Sequence, residues 1–466
     1  MNTTLPLDPA LPHLATALDG ASMARVFGAA LIGSQVRYCE VDRIKYRPRR
    51  NCSVSYCLQV LDARRGAFEQ RVAARFCSGG DAQRRHRQAA ARPLVASAAG
   101  PALQHVPALD MLAFWLPNDA KLDALRLLCD DIELRRRCLH EVVATLTGGR
   151  GELVDHRTTL VQVVPELRAC ARVELQLRRE PCAALSTHTL YVKANIERSG
   201  AAAQALMLAL SDSSAQTDGR LLTPRSMLWQ EAAGLHWQHA LPGRALVDVD
   251  PAIGAASSAR VGRQLAALHA TPIPATSTTL SVASLRAQSA KAADLLGCVE
   301  PGWQPLLARL VDRLDAGAGW IDGAAPATLH GDLHPRNILV DRQAGAVRHA
   351  FIDLDDVHTG PALVELGVWV ADAHYRALLD GLAPAQVAAS CGAFLAAYTE
   401  ASGERVDSAQ LAWSAAHHLL CQRAYRAVAN LKAGRFASIP ALLALADAIA
   451  EAGSVDAAYD AAREAA

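Results

Sequence analysis

Along the second half of the chain, apolar residues recur at three- and four-residue spacing in the runs 257–270, 281–296, 303–315, 362–382, 384–401, 408–432 and 439–452. That period predicts helices. Pro301, Pro335, Pro361, Pro384 and Pro440 punctuate the runs, as expected where a helix ends or begins. One interval breaks the pattern. Asn337 to Val340 and Val347 to Ile352 flank a polar turn with Gly345. They read as two short strands joined by a loop.

The first half alternates instead. Residues 43–60 are strand-rich, 69–76 and 110–116 are further strand candidates, and 80–91 reads as a basic helix. The texture then returns. Residues 163–178 resemble 46–61, each with a proline, then an arginine, then a strand. A second strand comes at nearly the same distance and ends in a basic residue, Arg75 in the first copy and Lys193 in the second. Each copy continues with a Gly-containing bend, a helix, an apolar strand and a Pro turn, at Leu116-Pro117 and Leu241-Pro242. Self-similarity of this kind predicts two related α+β units. The expected organisation is therefore 1–146, 147–247 and a helical unit 248–466, with Thr147-Gly148-Gly149-Arg150-Gly151 as the joint.

Composition narrows the class. The chain has 466 residues, 51% apolar and 20% charged, which supports large buried cores and excludes a mostly disordered chain. Its formal net charge of +1 lacks the basic footprint of a dedicated nucleic-acid binder. Eleven cysteines without CxxC spacing suit a reduced, cytoplasmic protein better than a disulfide framework or a zinc site. No signal peptide and no uninterrupted apolar run of membrane-spanning length is expected. The cluster Arg84-Arg85-His86-Arg87 reads as a solvated helix face.

The chemistry concentrates in Leu329-His330-Gly331-Asp332-Leu333-His334-Pro335-Arg336-Asn337 and the later Ile352-Asp353-Leu354-Asp355-Asp356. Phosphoryl transfer needs a carboxylate to orient a hydroxyl and hard oxygen ligands for metal ions on the phosphates. An Asp with an Asn five residues later supplies both from one loop, as in kinase catalytic loops. A hairpin would return Asp353 beside Asn337. Alone, Asp332 would suit a helix cap before Pro335. Together with Asn337 and Asp353 it reads as a catalytic group.

These residues resemble the aminoglycoside phosphotransferase family of the protein-kinase-like superfamily. The family's HGDxHxxN loop is matched by His330 to Asn337, and its Ile-Asp metal motif by Ile352-Asp353. The resemblance implies an α+β, bilobal kinase-like fold, and the repeat adds to it an extra N-terminal cap lobe that looks like a degenerate N-lobe. It implies Asp332 as the catalytic carboxylate, Asn337 and Asp353 as magnesium ligands, His330 and His334 as structural members of the loop, and Lys193 as the residue holding ATP phosphates. The turn 165–169 lies where a phosphate-covering loop would be and lacks the glycine pattern. No acid in 201–210 offers the usual helix partner for Lys193. Where the family has Gly-Asp-Pro-x-x-Asp, this chain has Gly360-Pro361-Ala362-Leu363-Val364-Glu365, with Glu365 one residue late.

The expectation is an ATP- and Mg-dependent phosphotransferase acting on a hydroxyl of a small molecule such as a sugar or amino alcohol. Candidate acceptor contacts are Trp413, His417, His418, Arg423, Tyr425 and Arg426. Their arginines weigh against a polycationic aminoglycoside. The alternatives are a catalytically weak pseudokinase, on the altered 360–365 segment, and a protein kinase, against which the missing Ala-Pro-Glu segment counts.

Overall fold

The computed structural model describes residues 6–179, 184–197, 199–275, 277–342, 347–432 and 434–456. The turn expected around Gly345 lies outside the described residues. The chain forms two compact units, Met1–Ala201 with Met227–Gln238 and Val428–Ala433, and Ala202–Ser226 with His239–Ala427 and Gly434–Ala466.

Two five-stranded sheets are built in the same way. β1 (Ser34–Arg47), β2 (Asn51–Asp62), β3 (Gly66–Cys77), β4 (Leu103–Val106) and β5 (Met111–Trp115) assemble in the order β1-β2-β3-β5-β4. β6 (Glu152–Val164), β7 (Arg168–Arg178), β8 (Ser186–Asn195), β9 (Ser226–Gln230) and β10 (Leu235–His239) assemble as β6-β7-β8-β10-β9. The strand run expected over 43–60 is in fact two strands, because Pro48 opens a tight turn. Its counterpart is the turn at Pro165. In each turn the residue after proline is left-handed, Arg49 with φ 59° and Glu166 with φ 60°.

The phase of burial also repeats. Cys52, Val54, Tyr56, Leu58 and Val60 face the core from β2, and Ala169, Ala171, Val173, Leu175 and Leu177 from β7. This two-residue period is that of a sheet with one covered face. In register, Arg75 on β3 stands opposite Ser53 and Lys193 on β8 opposite Cys170. Each partner is two residues into its strand, so the two basic residues occupy equivalent places.

The copies share one core. Leu125, Leu134, Leu139 and Val142, from the segment after β5, pack in one cluster with Val173, Leu175, Val192 and Trp237 of the second sheet. Fully burying such a side chain contributes about 1.5–3 kcal/mol. Charge ties the copies as well. Arg75 Nη2 lies 2.5 Å from Glu166 Oε1, and buried Asp119 accepts the Glu166 N–H at 2.9 Å. Thr147 ends a helix, and the chain continues through left-handed Gly148 and Gly149 into β6. Arg84 and Arg85 of the basic helix pair with Asp81 on its first turn.

The second unit is mainly helical. Helices Ala255–His269, Val282–Val299, Gln304–Gly317, Ala362–Asp380, Pro384–Ser402 and Ile439–Ala452 coincide with the runs read from the pattern. The run 408–432 is interrupted: helix Ser408–His418 passes through a π-helical turn, Leu419–Ala424, into Tyr425–Ala429. Between helices lie short strands: β11 (Arg244–Ala245), β12 (Pro326–Leu329), β13 (Ile338–Asp341), β14 (Arg348–Phe351) and β15 (His358–Pro361). β11, β13 and β14 form one small sheet, and β12 pairs with β15. Among the described residues no helix is long and apolar enough to cross a membrane. Every described cysteine is a free thiol.

Candidate active site

The site begins where β12 ends. Leu329 pairs with His358 of β15, and the chain then turns sharply at Gly331, φ +83°. A side chain there would collide with the Asp356 carbonyl, so only glycine permits the turn. The loop beyond this turn is held by a set of buried and part-buried hydrogen bonds. Glu365 lies near the start of helix Ala362–Asp380 and is 3% exposed. Its Oε2 accepts the His330 N–H and its Oε1 the Gly331 N–H, each at 2.8 Å. His269 Nε2 reaches the same carboxylate at 3.1 Å, and its Nδ1 meets the Tyr398 hydroxyl at 2.9 Å. Burial by itself would raise the Glu365 carboxyl. The bonds and charges from His269 and His330 outweigh it and hold the group below its ordinary range. Glu365 therefore braces the loop, although its place in the sequence is one residue late. The longer side chain and the helix start make the geometry good.

His330 is fully buried. Its Nε2–H donates to the Ile352 carbonyl at 3.0 Å and its Nδ1 accepts the Asp332 N–H at 3.4 Å. One ring thus links the loop to the end of β14. The Asn337 side chain donates from Nδ2 to the Asp332 carbonyl at 3.0 Å, and the Ile352 N–H donates to the Asn337 carbonyl at 2.9 Å. In the β13–β14 hairpin Ile338 stands opposite Phe351. Asn337 is consequently level with Ile352, and Asp353 is the next residue. Asp353 is left-handed, with φ 61°. Such conformations are sparsely populated outside glycine and cluster at functional sites.

Asp332 is about a quarter exposed, with its Oδ2 3.5 Å from His334 Nε2 and its Oδ1 3.8 Å from Arg426 Nη1. Burial pushes its carboxyl up, but His334, Arg426 and His330 together hold it well below the usual carboxylate range. His334, expected only to shape the loop, also faces the carboxylate itself.

Magnesium takes oxygen ligands and usually keeps waters, so one or two protein groups suffice. With Nδ2 engaged on the Asp332 carbonyl, Asn337 is left with Oδ1 for a cation, and the Asp353 carboxylate supplies a second hard oxygen. This donor set fits magnesium. Among the described residues no three His, Cys, Asp or Glu side chains converge as a metal cage. Lys193 lies half-buried on β8 in the first unit.

The acceptor candidates separate into two groups. Trp413 donates to the Leu314 carbonyl at 2.7 Å and stacks on His417, whose Nε2 meets the Leu285 carbonyl at 3.2 Å. Both are core residues, because burial has already matched their polar atoms. Burial pushes His417 down to about 4 and also depresses His418. Tyr425 lies under the Lys291 ammonium at 5.2 Å. Arg423 and Arg426 sit on one helix face, the first 2.5 Å from Asp372 and the second near Asp332. Asp372, Tyr375, Arg376 and Arg435 are companions of this face that the sequence pattern does not reveal. A lone acid within the apolar run 366–373 is the available signal.

Residues 199–403 match the sequence model of a phosphotransferase enzyme family, APH. Solved structures with similar folds include an ethanolamine kinase from Plasmodium vivax, at 9% identity and TM-score 0.44, covering 71% of this chain and 90% of that one. Another is the choline kinase LicA from Streptococcus pneumoniae, at 12% identity and TM-score 0.42, covering 67% and 99%. A third is the aminoglycoside phosphotransferase APH(4)-Ia, at 15% identity and TM-score 0.41, covering 68% and 98%. No curated protein matches the chain. The family match spans the whole loop from His330 to Asp353, the segment in which the site is built.

Proposed function

We propose that the protein transfers the γ-phosphoryl group of ATP, with magnesium, to a hydroxyl of a small molecule. The observation that carries this reading is the braced loop, in which Asp332 and Asn337 share a hydrogen bond and the hairpin register sets Asp353 beside Asn337. Asn337 and Asp353 would hold the magnesium, which supplies charge neutralisation across the transferring phosphates. Asp332 orients the acceptor hydroxyl and receives its proton. Its low proton affinity keeps it ionised and ready to accept a hydrogen bond, while His334 and Arg426 restrain its carboxylate. Lys193 holds the nucleotide phosphates from the third strand of its sheet. His330 and Glu365 position the loop. Much of the rate then comes from positioning and electrostatic stabilisation. The free thiols agree with a cytoplasmic setting.

The intact brace favours an active enzyme over a pseudokinase, since the altered 360–365 segment still performs its holding role through Glu365. Melting the protein with and without ATP and Mg²⁺ tests the reading, because a ligand of the folded state raises the melting temperature. A Mg-dependent rise in wild type that is lost in Asp353→Asn is expected. No rise at millimolar MgATP would turn the assignment toward the pseudokinase.

A further inference from the structure

One arginine of a helix face, Arg426, lies near Asp332, and a second, Arg423, joins a cluster of guanidiniums. The helix that begins at Ser408 carries its π-helical turn at Leu419–Ala424, which adds a residue to the turn and resets the face presented beyond it. Such turns are frequent at functional sites. Arg423 and Arg426 stand three residues apart and share a face.

Arg423 Nη2 lies 2.5 Å from Asp372 Oδ1, and Arg376 Nε lies 3.1 Å from Asp372 Oδ2. Asp372 is 5% exposed, so two guanidiniums rest on one buried carboxylate. Arg376 Nη1 and Arg423 Nε are buried without any partner. Arg423 and Arg435 also lie over the Tyr375 ring, at 5.1 and 5.7 Å from its centroid. Stacking on a ring orients a guanidinium and leaves its N–H edge for a planar anion. Arg426 approaches Asp332 at 3.8 Å, which is beyond hydrogen-bond length. Asp380, the other acid in electrostatic reach of Tyr375, is solvent-exposed. Arg376 and Arg423 thus share Asp372, and Arg426 lies near Asp332, in half-buried surroundings where unbalanced charge is costly.

We propose that the acceptor carries, besides its hydroxyl, an anionic group, a carboxylate or a phosphate, that is bound by Arg423, Arg426 and Arg435 beside Asp332. This rests on the phosphotransferase reading and deepens it. Arginine forks suit both anions through paired N–H bonds. A cationic acceptor would meet like charge at the same place. In the transfer, the acceptor O–H proton passes to the Asp332 carboxylate. The hydroxyl oxygen forms the new bond to the γ-phosphorus of ATP. The bond from that phosphorus to the β–γ bridging oxygen breaks, and its electron pair leaves on ADP.

The test is calorimetric titration of the full chain, saturated with MgADP, using D-glycerate, glycerol 3-phosphate, glycerol and choline as probes. Either anion should bind at least about tenfold more tightly than glycerol or choline. Comparing the two anions distinguishes carboxylate from phosphate. Arg435→Gln and Arg426→Gln should each weaken the preferred anion by about tenfold, with Arg435→Lys recovering part of the loss. In turnover assays Arg435→Gln should raise KM for the anionic acceptor more than it lowers kcat. Asp332→Asn should keep anion binding and lose turnover. Equal or tighter binding of glycerol or choline, no saturable binding of either anion, or indifference to both arginine substitutions overturns the proposal. Turnover of a neutral or cationic acceptor in preference to the anions removes this proposal and leaves the phosphotransferase reading standing. Anion binding without any phosphorylation of the bound anion removes both.

Discussion

The two five-stranded sheets are alike in strand order, in the proline turn with its left-handed residue, and in the register that sets Arg75 and Lys193 at equivalent places. They differ in what those residues have become. Arg75 is spent on Glu166, which lies in the proline turn between β6 and β7 of the other sheet. Lys193 leads into the segment that matches the phosphotransferase family. The same scaffold can therefore carry its basic residue into a structural ion pair, as Arg75 does with Glu166. Arginine at that place is a fork suited to a carboxylate, whereas lysine is a compact charge suited to phosphate.

The contrast can be tested at several points. The largest effect should come from Asp332→Asn, which should lower turnover by about 10²–10⁴-fold, the usual contribution of a positioned base. Retained nucleotide-dependent melting in that variant would show that binding survives. Turnover close to wild type would mean that another group accepts the proton. Next, Lys193→Ala should lower kcat/KM for ATP by about 100-fold, a typical cost of removing one preorganised electrostatic contact. Arg75→Ala should leave the nucleotide-dependent melting shift in place. A nucleotide response lost with Arg75 rather than Lys193 would reverse the assignment of the two sheets.

Glu365→Ala should destabilise the protein by about 3 kcal/mol, because it strips partners from the buried His269 ring, the buried His330 N–H and the part-buried Gly331 N–H. Denaturant melts measure this, and turnover should fall with it as the loop loses its brace. Acid should weaken the helical unit further. Burial pushes His349, with help from Arg260, and His374 and His417 down to about 4. An unfolded chain takes up protons on such rings near pH 6.5. Stability should fall as pH drops from about 6.5 toward 4, by about 1.4 kcal/mol per pH unit for each ring. Glu365 adds to the same trend: its depressed carboxyl stabilises the fold above the ordinary glutamate range and loses that contribution as pH falls through its folded value. Flat melting temperatures across that window would contradict the buried neutral rings. The smallest effect is expected of Arg75→Gln, about 1 kcal/mol in a chemical melt, since its ion pair is partly exposed and screened.

Much of the architecture is legible in the chain alone. Helical runs such as 362–382 and 439–452 carry a clean apolar period, and the prolines mark their starts. The repeat is visible because Pro48 and Pro165 punctuate both copies at the same distance from their strands. Other features escape for physical reasons. The strand run 43–60 hides a turn, since its residues alternate on both sides of it. The π-helical turn at Leu419–Ala424 leaves no mark in a pattern that tolerates one extra residue. Trp413 and His417 look available for a ligand because a sequence cannot show which polar atoms the core already satisfies.

The sequence by itself determined the chemistry on offer: a carboxylate and an amide five residues apart, an Asp beyond a short hairpin, and a lysine on the third strand. These depend on local spacing, which a chain carries with it. Tertiary structure decided the rest. It brought Glu365 and His269 to the His330 loop, paired Arg75 with Glu166, gathered Arg376, Arg423 and Arg435 around Asp372 and Tyr375, and set Arg426 near Asp332. Most of those contacts join residues far apart in the chain. Whether a buried charge finds its partner depends on packing, and no periodicity records it.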